Sequence, residues 1–297
     1  MAGKKVKVAI IGPGNIGTDL MYKVLRSKVL EMSVMIGVVE SEGIKRAQAM
    51  GIETSIEGID FLVKNPDKAD IVFDATTAKA HANFNAPACE KMGKIIIDLT
   101  PAAIGSIVTP MVNMQEALAV RNVNLITCGG QATTPIIHAI ASVVPLEYAE
   151  VVTAVASKSA GPGTRNNIDE YTQTTAKAIL KLTDTERAKV MTVFNPAVPE
   201  PPMRNTIFAI PKGEYKIEDV AASVEKMAKS IQEYVPGFEL TLRPIVERGI
   251  ITTIVSIFGQ GDFLPPYAGN LDIETASAIK IGELYARDIL EKKGVSA

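Results

Sequence analysis

Val6-Lys7-Val8-Ala9-Ile10-Ile11-Gly12-Pro13-Gly14-Asn15-Ile16-Gly17-Thr18-Asp19-Leu20 is the stretch that decides how this chain is read. An apolar run of strand length meets G-x-G-x-x-G, and a helical pattern follows at once. The first glycine serves a tight turn, the second lets backbone approach a pyrophosphate, and the third lets helix and strand pack closely. The helix N-terminus offers free N–H groups and partial positive charge to phosphates. A bare G-x-G-x-x-G is a weak signal, but between a strand and a helix it predicts dinucleotide binding through Gly12, Pro13, Gly14, Asn15, Ile16 and Gly17.

Outward from this turn, apolar runs recur at Ser33 to Val39, Ala69 to Ala75, Lys94 to Leu99 and Asn122 to Thr127. Helical patterns separate them at Asn15 to Leu25, Ile44 to Met50 and Ala80 to Met92. Uniformly apolar strands alternating with helices predict a doubly wound parallel sheet of the Rossmann type, covered on both faces. The texture then changes. Strands are expected at Tyr148 to Ala156, Val190 to Phe194, Thr206 to Ile210, Phe238 to Leu242 and Ile250 to Phe258, the last two paired through a turn at Gly249. Helices are expected over Ile168 to Leu182 and over Val220 to Tyr234, where apolar residues recur at spacings of four and three. This predicts an α+β second domain with part of its sheet antiparallel. Asp272 is expected to cap a closing helix whose apolar stripe includes Ala278, Ile281, Tyr285 and Ile289.

The 297 residues suit two domains. With 31 Lys+Arg against 33 Asp+Glu the net charge is −2, and no basic run argues for nucleic acid. No stretch approaches the roughly 18 consecutive apolar residues of a membrane span, and the N-terminus does not read as a secretory signal. Two cysteines, Cys89 and Cys128, are too few for a disulfide framework and lack zinc-site spacing, so a soluble protein of a reducing compartment without a metal is expected.

Cys128 lies in Thr127-Cys128-Gly129-Gly130-Gln131-Ala132-Thr133, between a strand and a helical pattern that has Pro135 in its first turn. Doubly wound sheets place ligands at the carboxyl ends of their strands. A thiol at a helix N-terminus is expected to have a lowered pKa, and the two glycines to leave room for substrate and expose N–H groups for an oxyanion. Cys128 is therefore the candidate nucleophile. Cys89, inside a helical pattern, reads as a small core hydrophobe. His81 and His138 read as packed or surface residues. His138 is ten positions past Cys128, about 15 Å along a helix at ~1.5 Å per residue. Ser159-Ala160-Gly161-Pro162-Gly163-Thr164-Arg165-Asn166-Asn167 and Pro265-Pro266-Tyr267-Ala268-Gly269-Asn270 have the letters both of ligand loops and of plain turns. Two readings of Glu40 stand: a carboxylate on a ribose 2′-OH, or a solvated start of the next helix. Lys45 and Arg46 leave a 2′-phosphate open, with NAD favoured over NADP.

These segments, with Asp98-Leu99-Thr100-Pro101-Ala102-Ala103-Ile104-Gly105 and Tyr267-Ala268-Gly269-Asn270-Leu271-Asp272, resemble the acylating acetaldehyde dehydrogenases over nearly the whole chain. The resemblance implies NAD-dependent oxidation of acetaldehyde or another short aldehyde, with transfer of the acyl group to CoA through a thioester on Cys128. It implies NAD contacts at Pro13 to Ile16, at Ser159 to Asn167 and at Asn270. It also implies a homodimer, a possible heterotetramer with 4-hydroxy-2-oxovalerate aldolase, and a cytoplasmic role in catabolism of aromatic compounds. The implied fold is that of glyceraldehyde-phosphate and semialdehyde dehydrogenases: a Rossmann domain over residues 1–130, completed by the closing helix 271–297, around a catalytic and dimerisation domain over 131–270. Three departures stand out. Val38-Val39-Glu40-Ser41 is a residue shorter than in relatives with an aspartate there, and Leu242 to Ile250 is shorter than in some. Asn205 stands where some relatives have an acidic residue, and asparagine cannot accept a proton. The alternatives are a phosphate-using semialdehyde or acyl-phosphate reductase of the same fold, and a dinucleotide-sensing Rossmann protein with no activity.

Overall fold

A computed structural model describes residues 4–161, 165 and 168–294. The first glycine-rich turn follows β1 (Val6–Ile11), and the helix Asn15–Arg26 begins three residues after Gly12. Around β1, a seven-stranded parallel sheet is ordered β3-β2-β1-β4-β5-β7-β6. Its other members are β2 (Leu30–Ile36), β3 (Glu53–Ser55), β4 (Ile71–Asp74), β5 (Ile95–Asp98), β6 (Ser106–Ile107) and β7 (Asn122–Asn124). β1 pairs with β2 on one side, Ile11 beside Ile36, and with β4 on the other, Ile11 beside Asp74. The strand order therefore reverses at Gly12, the point where doubly wound sheets bind ligands.

The two-residue period of a strand explains why these runs are apolar on both faces, with Lys7, Asp74 and Asp98 the charged residues of β1, β4 and β5. Val8, Ile10, Ile71, Phe73, Ile95 and Ile97 enter one core, whereas Ala9, Ile11, Val72 and Ile96 enter the core on the opposite face. The first core is closed by the helix Gly269–Lys292, through Ala278, Ile281, Tyr285, Ala286 and Leu290. A side chain at Gly282 would press on the Phe73 ring, so the helix lies close against the sheet. The buried Tyr285 hydroxyl donates to the carbonyls of Ala117 at 2.6 Å and Val120 at 3.0 Å. Tyr285→Phe leaves those carbonyls short of a donor, and thermal or denaturant unfolding should show a loss of about 1–2 kcal/mol.

The chain divides into two compact units, residues 1–110, 114–125 and 275–297 in the first and residues 111–113 and 126–274 in the second. The second unit contains a mixed five-stranded sheet ordered β11-β12-β10-β8-β9. Its strands are β8 (Leu146–Ala156), β9 (Arg187–Asn195), β10 (Met203–Pro211), β11 (Phe238–Glu247) and β12 (Ile250–Ile257). β8 and β9 are parallel, and β10, β11 and β12 pair antiparallel. On one face Ala149, Val151, Thr153, Val155, Asn205, Ile207 and Val255 are buried under the helices Cys128–Ala141, Ile168–Thr183 and Ile217–Gln232. Among the described residues no helix is long and apolar enough to cross a membrane.

Several boundaries differ from the sequence reading, each for a local reason. β2 begins at Leu30 and stops at Ile36, so Val38 and Val39 lie exposed in a bend despite their strand-forming side chains. The closing helix begins at Gly269, so Asp272 sits buried in its first turn rather than capping it. Gly269 starts the helix because any side chain there would overlap the Ile257 carbonyl. The cysteine helix begins at Cys128 itself, capped by Thr127, whose Oγ1 accepts from the Gly130 N–H at 2.9 Å. Pro135 thus falls in the helix interior and not in its first turn.

Candidate active site

Each glycine of the first turn answers a distinct demand. Gly12 has φ +100°, and a side chain there would overlap the Ala75 carbonyl at the end of β4. One at Gly17 would overlap the Gly12 carbonyl. Gly14 faces open space, which is where a pyrophosphate needs to approach. Gly14 is also the N-cap, and no side chain caps the helix, so its first N–H groups remain available to a phosphate. Pro13 is seated between Gly37 and Gly43, which fixes the turn against the segment after β2. Glu40 is exposed four residues beyond the end of β2, and Ser41 caps the next helix by accepting from the Ile44 N–H. These features fit a dinucleotide's phosphates.

Also in the first unit, His81 is fully buried, in a π-helical turn His81–Asn85. Its Nδ1 lies 2.9 Å from Asp74 Oδ2 and its Nε2 3.4 Å from Asp98 Oδ2, the two carboxylates that end β4 and β5. Burial raises the Asp98 carboxyl to about 6. His81 is a packed residue that ties strand ends together, as one of the two sequence readings had it.

In the second unit the approach to Cys128 is strained: Ile126, a β-branched residue, has φ +67°. The Cys128 side chain is buried, with its Sγ 3.5 Å from the Tyr171 hydroxyl on the helix Ile168–Thr183. Thr127, the N-cap of the cysteine helix, also meets the middle of that second helix, its Oγ1 2.7 Å from Thr175 Oγ1.

Two expectations about this cysteine are corrected. Its thiol is not lowered: burial pushes it up to about 12, the Glu274 carboxylate adds to the rise, and Tyr171 and the Gly129 N–H act in the opposite direction. Nor do the two glycines leave empty room or free donors. The Gly129 N–H donates to the Tyr171 hydroxyl at 2.9 Å and the Gly130 N–H to Thr127. A side chain at Gly129 would overlap the Tyr171 hydroxyl, and one at Gly130 would press on Ile126. Glycine is required at 129 by Tyr171, a residue the sequence reading did not single out because a tyrosine inside a helical stripe looks like core. Gly129→Ala should displace Tyr171 and lower stability by about 1–3 kcal/mol, read by thermal melting.

Thr153 and Asn205 continue the polar cluster. They are cross-strand partners on β8 and β10, both fully buried, and Thr153 Oγ1 donates to Asn205 Oδ1 at 2.8 Å. Thr153 is also a hydrogen-bond partner of Tyr171, and Asn205 Nδ2 has no partner among the described residues. Cys89 lies fully buried in the first unit's core, its thiol likewise raised to about 12 by burial. His138 instead places Nδ1 3.0 Å from the Leu182 carbonyl.

The loop after β8 and the start of the closing helix meet at one point, where Asn270 Nδ2 donates to the Ser159 carbonyl at 3.4 Å. Among the described residues Asn270 Oδ1 is buried without a donor, which fits an amide N–H2 such as the nicotinamide carboxamide. Ala160 is buried and Gly161 exposed. Arg165 folds back onto the Ala160 and Ser157 carbonyls, with its guanidinium 4.6 Å over the Phe194 ring. Pro162, Gly163, Thr164, Asn166 and Asn167 lie outside the described residues.

A parallel Rossmann sheet in one unit and, in the other, a mixed sheet covered by a helix that starts at a cysteine define an NAD-binding oxidoreductase of the semialdehyde dehydrogenase class. A model of the semialdehyde dehydrogenase NAD-binding domain matches residues 7–119, and one of the prokaryotic acetaldehyde dehydrogenase dimerisation domain matches residues 128–265. The chain is 49% identical over 291 residues to an acetaldehyde dehydrogenase of Bacillus cereus, covering 98% of this chain and 97% of that one. It is 50% identical to an acetaldehyde dehydrogenase of Geobacillus stearothermophilus, over 95% of this chain and 97% of the relative. It is 48% identical to a propanal dehydrogenase (CoA-propanoylating) of Mycobacterium bovis, with 96% and 97% covered. The chain belongs to the acetaldehyde dehydrogenase family. Its fold also matches the crystal structure of aspartate semialdehyde dehydrogenase II from Vibrio cholerae in complex with ASA, with TM-score 0.66 at 18% identity, over 96% of this chain and 99% of that one.

Proposed function

We propose that this protein oxidises a short aldehyde, acetaldehyde or propanal, with NAD, and transfers the acyl group to CoA through a thioester on Cys128. The observation that carries the reading is Cys128 at the start of its helix with its sulfur against a hydroxyl donor, in a chain whose other cysteine is sealed in a core. Cys128 Sγ adds as the thiolate to the aldehyde carbon, forming a C–S bond as the C=O π bond breaks and its electron pair moves onto oxygen, giving a thiohemiacetal alkoxide. NAD, when bound, supplies the acceptor for the hydride that leaves this carbon. The resulting thioester loses its bond to Cys128 Sγ when the CoA thiol takes the acyl group, returning the sulfur to its starting state.

The Gly12 to Gly17 turn supports NAD at its phosphates, and the unpaired Asn270 Oδ1 suits its carboxamide. The name of the propanal relative supports CoA as the acceptor. The dimerisation match and the half-buried Val152, Thr206, Phe208 and Ile254 on the uncovered face of the mixed sheet support a homodimer. We place the enzyme in the cytoplasm, in catabolism of aromatic compounds, with 4-hydroxy-2-oxovalerate aldolase as a partner, on the strength of the sequence resemblance.

Steady-state rates with C2 to C5 aldehydes test the reading, using NAD or NADP and CoA or phosphate. NADH formation that requires CoA and is fastest with C2 or C3 supports it. Turnover that proceeds with phosphate in place of CoA transfers the protein to the acyl-phosphate class.

A further inference from the structure

The thiolate needed at Cys128 is created in a buried place that resists charge, and one neighbouring group is built to oppose this. Tyr171 Oη lies 3.5 Å from Sγ, its oxygen already accepts the Gly129 N–H at 2.9 Å, and it is in hydrogen-bond contact with Thr153. Behind Thr153 stands Asn205, whose Oδ1 accepts from the Thr153 hydroxyl while its buried Nδ2 has no partner among the described residues.

We propose that Tyr171 is a catalytic residue that donates its hydroxyl proton as a hydrogen bond to the anionic Cys128 sulfur, and that Thr153 and Asn205 are the positioning residues that turn it to do so. The inference rests on the reading of Cys128 as the acyl carrier. No proton is transferred. When the sulfur becomes anionic, the Tyr171 O–H points to it in a charge-assisted bond. The Tyr171 oxygen, with the Gly129 N–H already on it, then accepts a hydrogen bond from the Thr153 hydroxyl. Thr153 in turn needs a donor, which Asn205 supplies by turning its amide end for end, so that Nδ2 faces Thr153. The turn exchanges one unpartnered amide end for the other and so adds no further unpaired group. Burial and the neighbouring sulfur raise the Tyr171 phenol well above its ordinary value, so it stays protonated and serves as a donor, not a base.

The test is the rate of Cys128 carboxamidomethylation by iodoacetamide against pH, located by peptide mass mapping, in the full-length enzyme. A hydrogen bond to a charged group sets the scale. Tyr171→Phe should slow alkylation at neutral pH by roughly 10- to 100-fold and lower kcat/KM for the aldehyde by a similar factor, with NAD affinity unchanged. Thr153→Val should give a smaller loss of the same kind, and Thr153→Ser, which keeps the hydroxyl, should restore the wild-type profile. Wild-type alkylation in Tyr171→Phe overturns the proposal. If Tyr171→Phe does not fold, the Thr153 pair decides: equal loss in Val and Ser variants means that only packing is at stake and overturns the relay. Alkylation does not depend on aldehyde or CoA, so a wrong function for Cys128 would appear as turnover surviving its replacement, separately from these rates.

Discussion

Cys128→Ser should reduce acyl-CoA formation by at least roughly 10⁴-fold while leaving the fold and the NAD affinity within about twofold of the wild type. The reasoning is chemical. Every covalent step of the proposed reaction passes through this sulfur, and a serine oxygen at the same site neither ionises as readily nor leaves as readily from an acyl group. The substitution is nearly isosteric, and the surrounding helix is held by the Thr127 cap and the Thr127 to Thr175 contact, neither of which uses the sulfur. NAD affinity is read by calorimetry, and acyl-CoA by chromatography. Retained turnover in Cys128→Ser would move the chemistry to another residue.

Gly12→Ala should have the second largest effect, on a different property. At φ +100° an alanine is strained by about 1–2 kcal/mol, and its Cβ would overlap the Ala75 carbonyl, a backbone atom that cannot rotate away. β1 and β4 are thereby forced apart where the strand order reverses. NAD affinity should fall by roughly 100-fold, and the melting temperature by roughly 5 °C. Gly14→Ala is the matched control. Its φ is −84° and nothing lies within 4 Å of the new methyl, so the melt should be unchanged while NAD still binds more weakly. A Gly14→Ala variant that binds NAD as the wild type does would show that the pyrophosphate does not approach this turn.

The parallel sheet was legible because its chemistry is local. β1, β4 and β5 alternate between two cores and are therefore apolar at every position but Lys7, Asp74 and Asp98, and the glycine turn follows a strand as the motif requires. The mixed sheet was legible in outline for the opposite reason, since its strands alternate and their helices show helical spacing. The short strands β3 and β6 escaped notice, being too short to show a period. At the candidate site the sequence singled out Cys128 and misjudged its surroundings. A helix start suggested a lowered thiol, but burial acts through residues far along the chain: Tyr171 is 43 positions away and Glu274 farther still. Gly129 looked like space for a substrate and is space for Tyr171. Asn205 was recognised as unable to act as a base, yet its place two hydrogen bonds behind Tyr171 follows only from the pairing of β10 with β8. In each case the missed information is the identity of a neighbour distant in sequence.

The central claim is that Cys128 carries the acyl group, and the most direct measurement is peptide mass mapping of enzyme quenched after a single turnover with acetaldehyde and NAD in the absence of CoA. The account predicts one acetyl group on the peptide containing Cys128, none on that containing Cys89, and loss of the acetyl group when CoA is added. An unmodified Cys128 under conditions in which NADH has formed, or an acetyl group that CoA does not remove, would contradict it.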